Sequence, residues 1–228
     1  MALIVKNLSG GYGQAPVLHD VTFTVPDQSV TALVGLNGSG KSTTINHIIG
    51  LLPPRTGTIT LNGVDLISDP FAYKRQIAYI PEQPVLYQEL TLREHIDLMI
   101  RIYHLEAKRT WQEANQLLER FRLAHKLDWF PIYFSKGMRQ KVMIVLAFMA
   151  KAPFYIIDEP FLGLDVLAVD DLLALIDERR AAGASILLTT HVLENIMPHA
   201  QSYVYLAKGR VEKQGPASDL VNLEMSRD

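Results

Sequence analysis

Gly35-Leu36-Asn37-Gly38-Ser39-Gly40-Lys41-Ser42 matches G-x-x-x-x-G-K-[ST] at every fixed position. The residues before it, Ser29-Val30-Thr31-Ala32-Leu33-Val34, are β-branched and apolar, as a buried parallel strand requires. Those after it, Thr43 to Ile49, read as the first turns of a helix ending near Gly50. A glycine-rich turn in that setting can curl its backbone N–H groups round a phosphate chain, and the helix N-terminus adds partial positive charge. Lys41 can reach β- and γ-phosphates, and the Ser42 hydroxyl can ligate Mg²⁺. The stretch predicts an α/β domain built around a phosphate-binding loop.

With 228 residues the chain suits one α/β domain with room for a subdomain. Hydrophobic residues make up 48% and charged residues 20%, the balance of a packed globule. A net charge of −2 gives no electrostatic case for nucleic-acid binding. Cysteine is absent, which excludes disulfides, thiol chemistry and cysteine-based zinc sites. The first residues, Met1 to Lys6, do not form a signal peptide. The longest apolar run, Val142 to Ala150, lies between Lys141 and Lys151 and fits a buried helix better than a membrane span. A cytosolic protein that docks on a membrane through a partner is the expectation.

Around the loop, Leu3 to Leu8, Val17 to Val25, Thr58 to Leu61 and Ile77 to Ile80 read as strands. From Thr91 to about Ala150 the spacing turns helical. Leu92, Ile96, Met99, Ile100 and Tyr103 mark one amphipathic helix, and Trp111, Leu117, Leu118 and Phe121 a second. Strands return at Phe154 to Ile157, Ser185 to Thr189 and Tyr203 to Leu206. A helix from about Val166 to Ala181, closed by Gly183, joins the first two. The tail after Gly215-Pro216 predicts one short helix.

Phe154-Tyr155-Ile156-Ile157-Asp158-Glu159 is an apolar strand ending in two carboxylates, where ligands sit in open α/β sheets. Asp158 can hold Mg²⁺, directly or through water, and Glu159 can polarise an attacking water. Beyond these, His19, His47, His95, His104, His125 and His199 lack metal-ligand spacing and read as surface or helix-face residues. Asp170-Asp171 and Glu178-Arg179-Arg180 read as a solvated helix face.

Taken together, the chain resembles the nucleotide-binding subunit of an ATP-binding cassette (ABC) transporter over nearly its full length. Gly35 to Ser42 resembles that family's Walker A, and Asp158-Glu159 its Walker B with catalytic glutamate. Phe134-Ser135-Lys136-Gly137-Met138 lies where the LSGGQ-type signature belongs, keeping the serine and second glycine. Gln83 resembles the Q-loop, Gly163-Leu164-Asp165 the D-loop, His191 the switch histidine and Tyr12 the aromatic A-loop residue. The wording of Tyr79 to Glu82, Tyr133 to Met138 and Ile157 to Asp165 is closest to the Ecs-type bacterial subfamily.

The resemblance implies a P-loop ATPase core with an antiparallel β subdomain and an inserted helical subdomain. Residues 1–83 and 151–228 would form the core and β subdomain, and about 84–150 the helical subdomain. It implies ATP and Mg²⁺ as cofactors. The implied catalytic residues are Glu159, His191, Gln83 and Lys41, and the implied metal ligands Ser42, Gln83 and Asp158. The implied nucleotide contacts are Tyr12, Gly35, Leu36, Asn37, Gly38, Ser39, Gly40, Lys41, Ser42 and Thr43. Ser135 and the Gly137 amide would act in trans on ATP held by a second copy, and Met138 and Asp165 are implied contacts too. Lys136 would point away from the nucleotide. The implied partners are a second copy, in a head-to-tail dimer through ATP, and a separately encoded membrane subunit on the cytoplasmic face. An exporter linked to protein or peptide secretion is the expected system. Pro84-Val85-Leu86-Tyr87 lies where the family places its membrane-partner groove. There Leu86 and Tyr87 read equally as core residues or as an exposed knob. The competing reading is a soluble ABC ATPase acting on ribosomes or DNA, which the lack of a basic block disfavours.

Overall fold

The computed structural model describes residues 2–191 and 193–222. The chain opens with β1 (Leu3–Gly10) and β2 (Leu18–Val25), an antiparallel pair with Leu3 opposite Val25 and Val5 opposite Phe23. Next comes β3 (Val30–Val34), buried at every position, which feeds the glycine loop and α1 (Lys41–Ile48). β4 (Thr56–Leu61) and β5 (Val64–Asp65) return to the first sheet, giving the order β2-β1-β4-β5. The short α2 (Pro70–Lys74) leads to β6 (Ile77–Ile80). Three helices follow: α3 (Leu92–Ile102), α4 (Ala107–Arg120) and α5 (Lys136–Met149). The chain then re-enters a sheet at β7 (Phe154–Asp158) and continues through α6 (Val166–Ala181), β8 (Ser185–Thr189) and α7 (Leu193–Ile196). β9 (Ser202–Ala207) and β10 (Arg210–Pro216) finish it, followed by a 3-10 turn over Ala217–Asn222. The predicted tail helix is thus a 3-10 turn as far as Asn222, and residues 223–228 lie outside the described residues.

The second sheet runs β10-β9-β3-β8-β7-β6, parallel throughout except for β10. Its parallel strands bury both faces along most of their length, which is why they read as unbroken apolar runs, whereas β10 at the edge is exposed. Val30, Ala32, Tyr155, Ile157, Ile186 and Leu188 pack into one core with the helical segment. Leu33, Phe154, Ile156 and Leu187 alternate into a second core with β1, β2 and α1. Each fully buried Ile or Leu contributes about 1.5–3 kcal/mol.

Register positions the site. Leu33 and Asp158 each lie opposite Thr189. The loops after β3, β7 and β8 therefore emerge together at the carboxyl edge, where open α/β sheets bind ligands.

Local chemistry explains the helical segment. Thr91 and Glu94 form a reciprocal cap on α3, with Glu94 Oε2 accepting from the Thr91 amide at 2.7 Å. Trp111 Nε1 donates to Asp97 Oδ1 at 2.9 Å and ties α4 to α3. Three of the charges read as a solvated face of α6 instead cross to α4 and its flank, while Asp170 is exposed and Arg180 pairs with Asp177 on α6 itself. Asp171 pairs with Arg120 and Arg122, Glu178 with Arg120, and Arg179 with Glu113, which also takes Lys151 at 2.5 Å. Two of the histidines read as surface or helix-face residues, His47 on α1 and His95 on α3, are on helix faces that are buried. Helical spacing does not reveal which flank of a helix another helix will cover.

Candidate active site

The glycine loop closes tightly on itself. Gly35 has φ +155°, and a Cβ there would meet the Leu206 carbonyl oxygen at 2.3 Å, so a side chain is excluded. Gly40 N-caps α1 in the left-handed region at φ +108°. Lys41 Nζ donates to the carbonyls of Gly35 at 2.7 Å and Leu36 at 3.3 Å. Burial lowers its pKa, while Glu159, Asp158 and Glu82 act to keep it charged.

A cleft of about 320 Å³ opens in front of this loop. Asn37, Gly38, Gly40, Lys41, Ser42 and Thr43 form one wall, and Asp158, Glu159 and His191 face them. Asp158 Oδ1 accepts the Thr189 hydroxyl at 2.5 Å. Burial raises its pKa, the Thr189 bond opposes this, and Glu82 and Glu159 add to the rise. Glu159 is the next residue and holds φ +46°, a left-handed conformation that costs a non-glycine residue about 1–3 kcal/mol. Its amide donates to Thr189 Oγ1 at 3.0 Å. Its carboxylate accepts the His191 amide at 3.2 Å and meets His191 Nδ1 at 2.9 Å. The strained turn and the histidine together aim this carboxylate into the cleft.

Ser42 and Asp158 offer Mg²⁺ hard oxygen donors on the same cleft. Among the described residues no group of three His, Asp or Glu forms a ready cage. That suits a cation held mostly by phosphates and water, as Mg²⁺ usually is.

The predicted residues fall into three groups. Lys41, Ser42, Thr43, Asp158, Glu159, His191 and much of the loop converge on the cleft, while Ser39 is buried beneath it. Tyr12 does not line it; the residue is exposed and tied to α1, its hydroxyl accepting from Asn46 Nδ2 at 2.6 Å. Ser135, Gly137 and Met138 do not line the cleft. Ser135 N-caps α5, its Oγ accepting from the Met138 amide at 3.2 Å, and its own O–H remains a donor. Gly137 packs on the carbonyl of Gly163, which a Cβ would meet at 2.3 Å.

Two of the implied residues stand apart from the cleft of this chain. Gln83 is exposed and does not line the cleft. Glu82 does. The chain bends at Glu82 and Gln83, just past the end of β6, and it is the Glu82 side chain that reaches the cleft. Asp165, implied as a nucleotide contact, is exposed and also makes two bonds within its own chain. Oδ1 caps α6 through the Ala168 amide at 2.9 Å, and Oδ2 takes Lys141 Nζ at 2.6 Å. The Lys141 bond leads the causes that depress its pKa. Glu82 was missed because Gln83 is the residue of the expected chemical type.

A phosphate loop opposite two strand-end carboxylates, with a histidine on the second, defines a P-loop ATPase. A family profile described as ABC transporter matches residues 18–162, and the chain belongs to that family. It is 49% identical over 218 residues to the ABC-type transporter ATP-binding protein EcsA of Bacillus subtilis (strain 168), covering 96% of this chain and 88% of that one. A solved ATP-binding subunit of an ABC transporter superposes with a TM-score of 0.93 at 51% identity, covering 100% of this chain and 95% of that one. The dimeric post-hydrolysis ATP-binding cassette MJ0796, bound to ADP and Pi, shares the fold at a TM-score of 0.84 and 22% identity, over 94% and 98% of the two chains. The fold is that of ABC ATPases, and the chain is an ATP-binding ABC transporter ATPase. Among the described residues no helix is long and apolar enough to cross a membrane.

Proposed function

We propose that this ATPase works as a head-to-tail dimer with two Mg·ATP at the interface, powering separately encoded membrane subunits from the cytoplasmic face. One observation carries the dimer: the site is split. The cleft holds the phosphate loop, Asp158, Glu159 and His191, whereas Ser135 and Gly137 lie elsewhere on the same chain. A second copy, turned head to tail, would bring the Ser135 hydroxyl and the α5 N-terminus to the γ-phosphate. The dimer named for MJ0796 supports this arrangement.

Within the cleft the loop amides and Lys41 hold the triphosphate. Ser42 and Asp158 hold Mg²⁺, which neutralises charge developing on the phosphates. Glu159 orients the attacking water and accepts its proton, and His191 fixes the Glu159 carboxylate. Tyr12 stacks on the adenine. The Ecs-type wording of the signature and strand-end motifs favours an exporter linked to protein or peptide secretion.

The test is hydrolysis and size in solution. Glu159→Gln retains ATP binding, slows turnover about 100-fold or more, and shifts from monomer to dimer when ATP and Mg²⁺ are added. Lys41→Ala loses both binding and turnover. A Glu159→Gln protein that hydrolyses ATP normally places the base elsewhere, and one that stays monomeric with ATP bound removes the dimer.

A further inference from the structure

We infer that the exposed aromatic turn before α5, formed by Trp129, Phe130, Ile132 and Tyr133 with Lys126 beside them, docks the chain directly on an anionic bilayer surface. This contact belongs to the chain itself and needs neither nucleotide nor a membrane subunit.

The turn is built to face outward. Pro131–Tyr133 is a 3-10 turn, in which side chains three apart share a face. Pro131 and Phe134 take the inner face and are buried. Ile132 and Tyr133 are left outside, 73% and 67% exposed, and Trp129 and Phe130 before them are exposed too. Trp129 stacks on Phe134 at 6.0 Å between ring centroids and meets Tyr133 edge-on at 6.5 Å, so the rings are contiguous. The backbone beneath them is anchored on the first turn of α3. There the Leu92 amide donates to the Trp129 carbonyl at 3.0 Å, and the Arg93 amide to the Leu127 carbonyl at 2.8 Å. Single exposed apolar residues are ordinary, but four within five positions on one fixed turn form a patch. None of the four lines the nucleotide cleft.

Charge selects the occupant. From Leu123 to Gln140 the chain carries Lys126, Lys136 and Arg139 against one acid, Asp128. Arg93 already neutralises Asp128, at 3.0 Å. Among the described residues the other three basic side chains pair with no carboxylate. Lys126 instead places Nζ 3.6 Å from the centroid of the Trp129 ring. Aromatic rings interleaved with unpaired cations suit the boundary between water and bilayer. Rings settle at headgroup level, apolar side chains reach the acyl boundary, and ammonium groups meet anionic lipid. Lys126 over Trp129 puts both kinds of contact at one depth.

The measurement is co-sedimentation of the full chain, without nucleotide, with vesicles of phosphatidylcholine and phosphatidylglycerol at about 7:3 and with phosphatidylcholine alone. The parent binds the mixed vesicles, salt weakens the binding, and phosphatidylcholine alone holds far less. Ile132→Ser combined with Tyr133→Ser lowers the partition constant about tenfold or more. Lys126→Gln lowers it about fivefold on the mixed vesicles. Phe71→Ser, which removes an exposed ring beneath Arg75 on α2, matches the parent. The serine changes lie at exposed positions, and thermal melts check the fold. Brominated acyl chains quench the parent's tryptophan emission but not that of Trp129→Phe, whose remaining Trp111 is bonded to Asp97. A parent that stays in the supernatant with mixed vesicles overturns the inference, as does a double-serine variant that binds like the parent. A nucleotide-free dimer that the double-serine change splits makes the turn an interface between copies and overturns it as well.

Discussion

At the scale of single residues, the proposed stacking of Tyr12 on adenine depends on one bond. Asn46 lies on α1, one turn beyond Lys41 and Ser42, and donates to the Tyr12 hydroxyl at 2.6 Å. It fixes an aromatic ring that is otherwise 56% exposed relative to the helix that holds the phosphates. A net hydrogen bond is worth about 0.5–1.5 kcal/mol. Asn46→Ala therefore weakens ATP binding about two- to tenfold and leaves tripolyphosphate binding unchanged, as calorimetry with each ligand will show. Equal losses for both ligands mean that Asn46 supports α1 rather than the ring. None of this was legible in the sequence, where Asn46 and Tyr12 stand 34 positions apart. Lys41, Ser42, Asp158 and Glu159 were legible because their spacing is dictated by local geometry, a loop before a helix and the end of a strand. The placement of Gln83 outside the cleft was not legible for the converse reason. Its chemistry suited the role, but the direction of its side chain depends on the turn after Pro81.

Elements carry the next level of the design, and one of them carries a titration. His95, on α3, has Nδ1 2.8 Å from the Thr91 carbonyl and Nε2 3.0 Å from the Tyr87 amide. Nδ1 donates and Nε2 accepts, a pattern that only the neutral ring can make. Burial depresses the pKa of this ring below the ordinary value, with the Thr91 bond and the Glu94 charge opposing. As pH falls through about 6.5, the unfolded chain takes up the proton before the folded one. The contribution to stability is complete above that pH and is lost below it. His95→Gln keeps an acceptor for the Tyr87 amide and does not titrate. Urea melts at pH 7.5 should find it about 0.5–1.5 kcal/mol less stable than the parent, with the gap narrowing at pH 5.5. A constant gap means that His95 titrates alike in both states. His47, buried with Nδ1 2.9 Å from the Leu52 carbonyl, is shifted in the same direction, so some slope remains. Helical period announced α3 and α6, the latter observed at Val166–Ala181 as read. It could not announce that the next turn of chain would fold a backbone amide onto His95, or that α4 would pair with the charges of α6.

For the whole molecule, the question is how a nucleotide cleft at the sheet edge can act on a second protein. α3, α5 and the outer strand β6 enclose a groove of about 680 Å³, lined largely by apolar groups such as Ile77, Leu98, Met99 and Leu146. Val85 and Tyr87 stand at its wall, 75% and 62% exposed, while Leu86 between them turns into the core. The two readings of Pro84 to Tyr87 are thus both realised, by alternate residues. β6 continues directly into Glu82 and then into this wall, so cleft and groove share one short segment of chain. Only three positions separate Glu82 at the cleft from Val85 at the groove. We expect this groove to seat an apolar helix of the membrane subunit. The His95 bond holds the Tyr87 backbone, so the side chain can be cut back without loosening the segment. In the Glu159→Gln background, tagged protein is extracted from native membranes with mild detergent and ATP, and a multi-spanning protein co-purifies in stoichiometric yield. Adding Tyr87→Ala reduces that yield severalfold while the ATP-dependent dimer persists. Full recovery of the partner with Tyr87→Ala moves the contact to another face, and recovery with ribosomes or DNA in place of a membrane protein reassigns the ATPase to a soluble target.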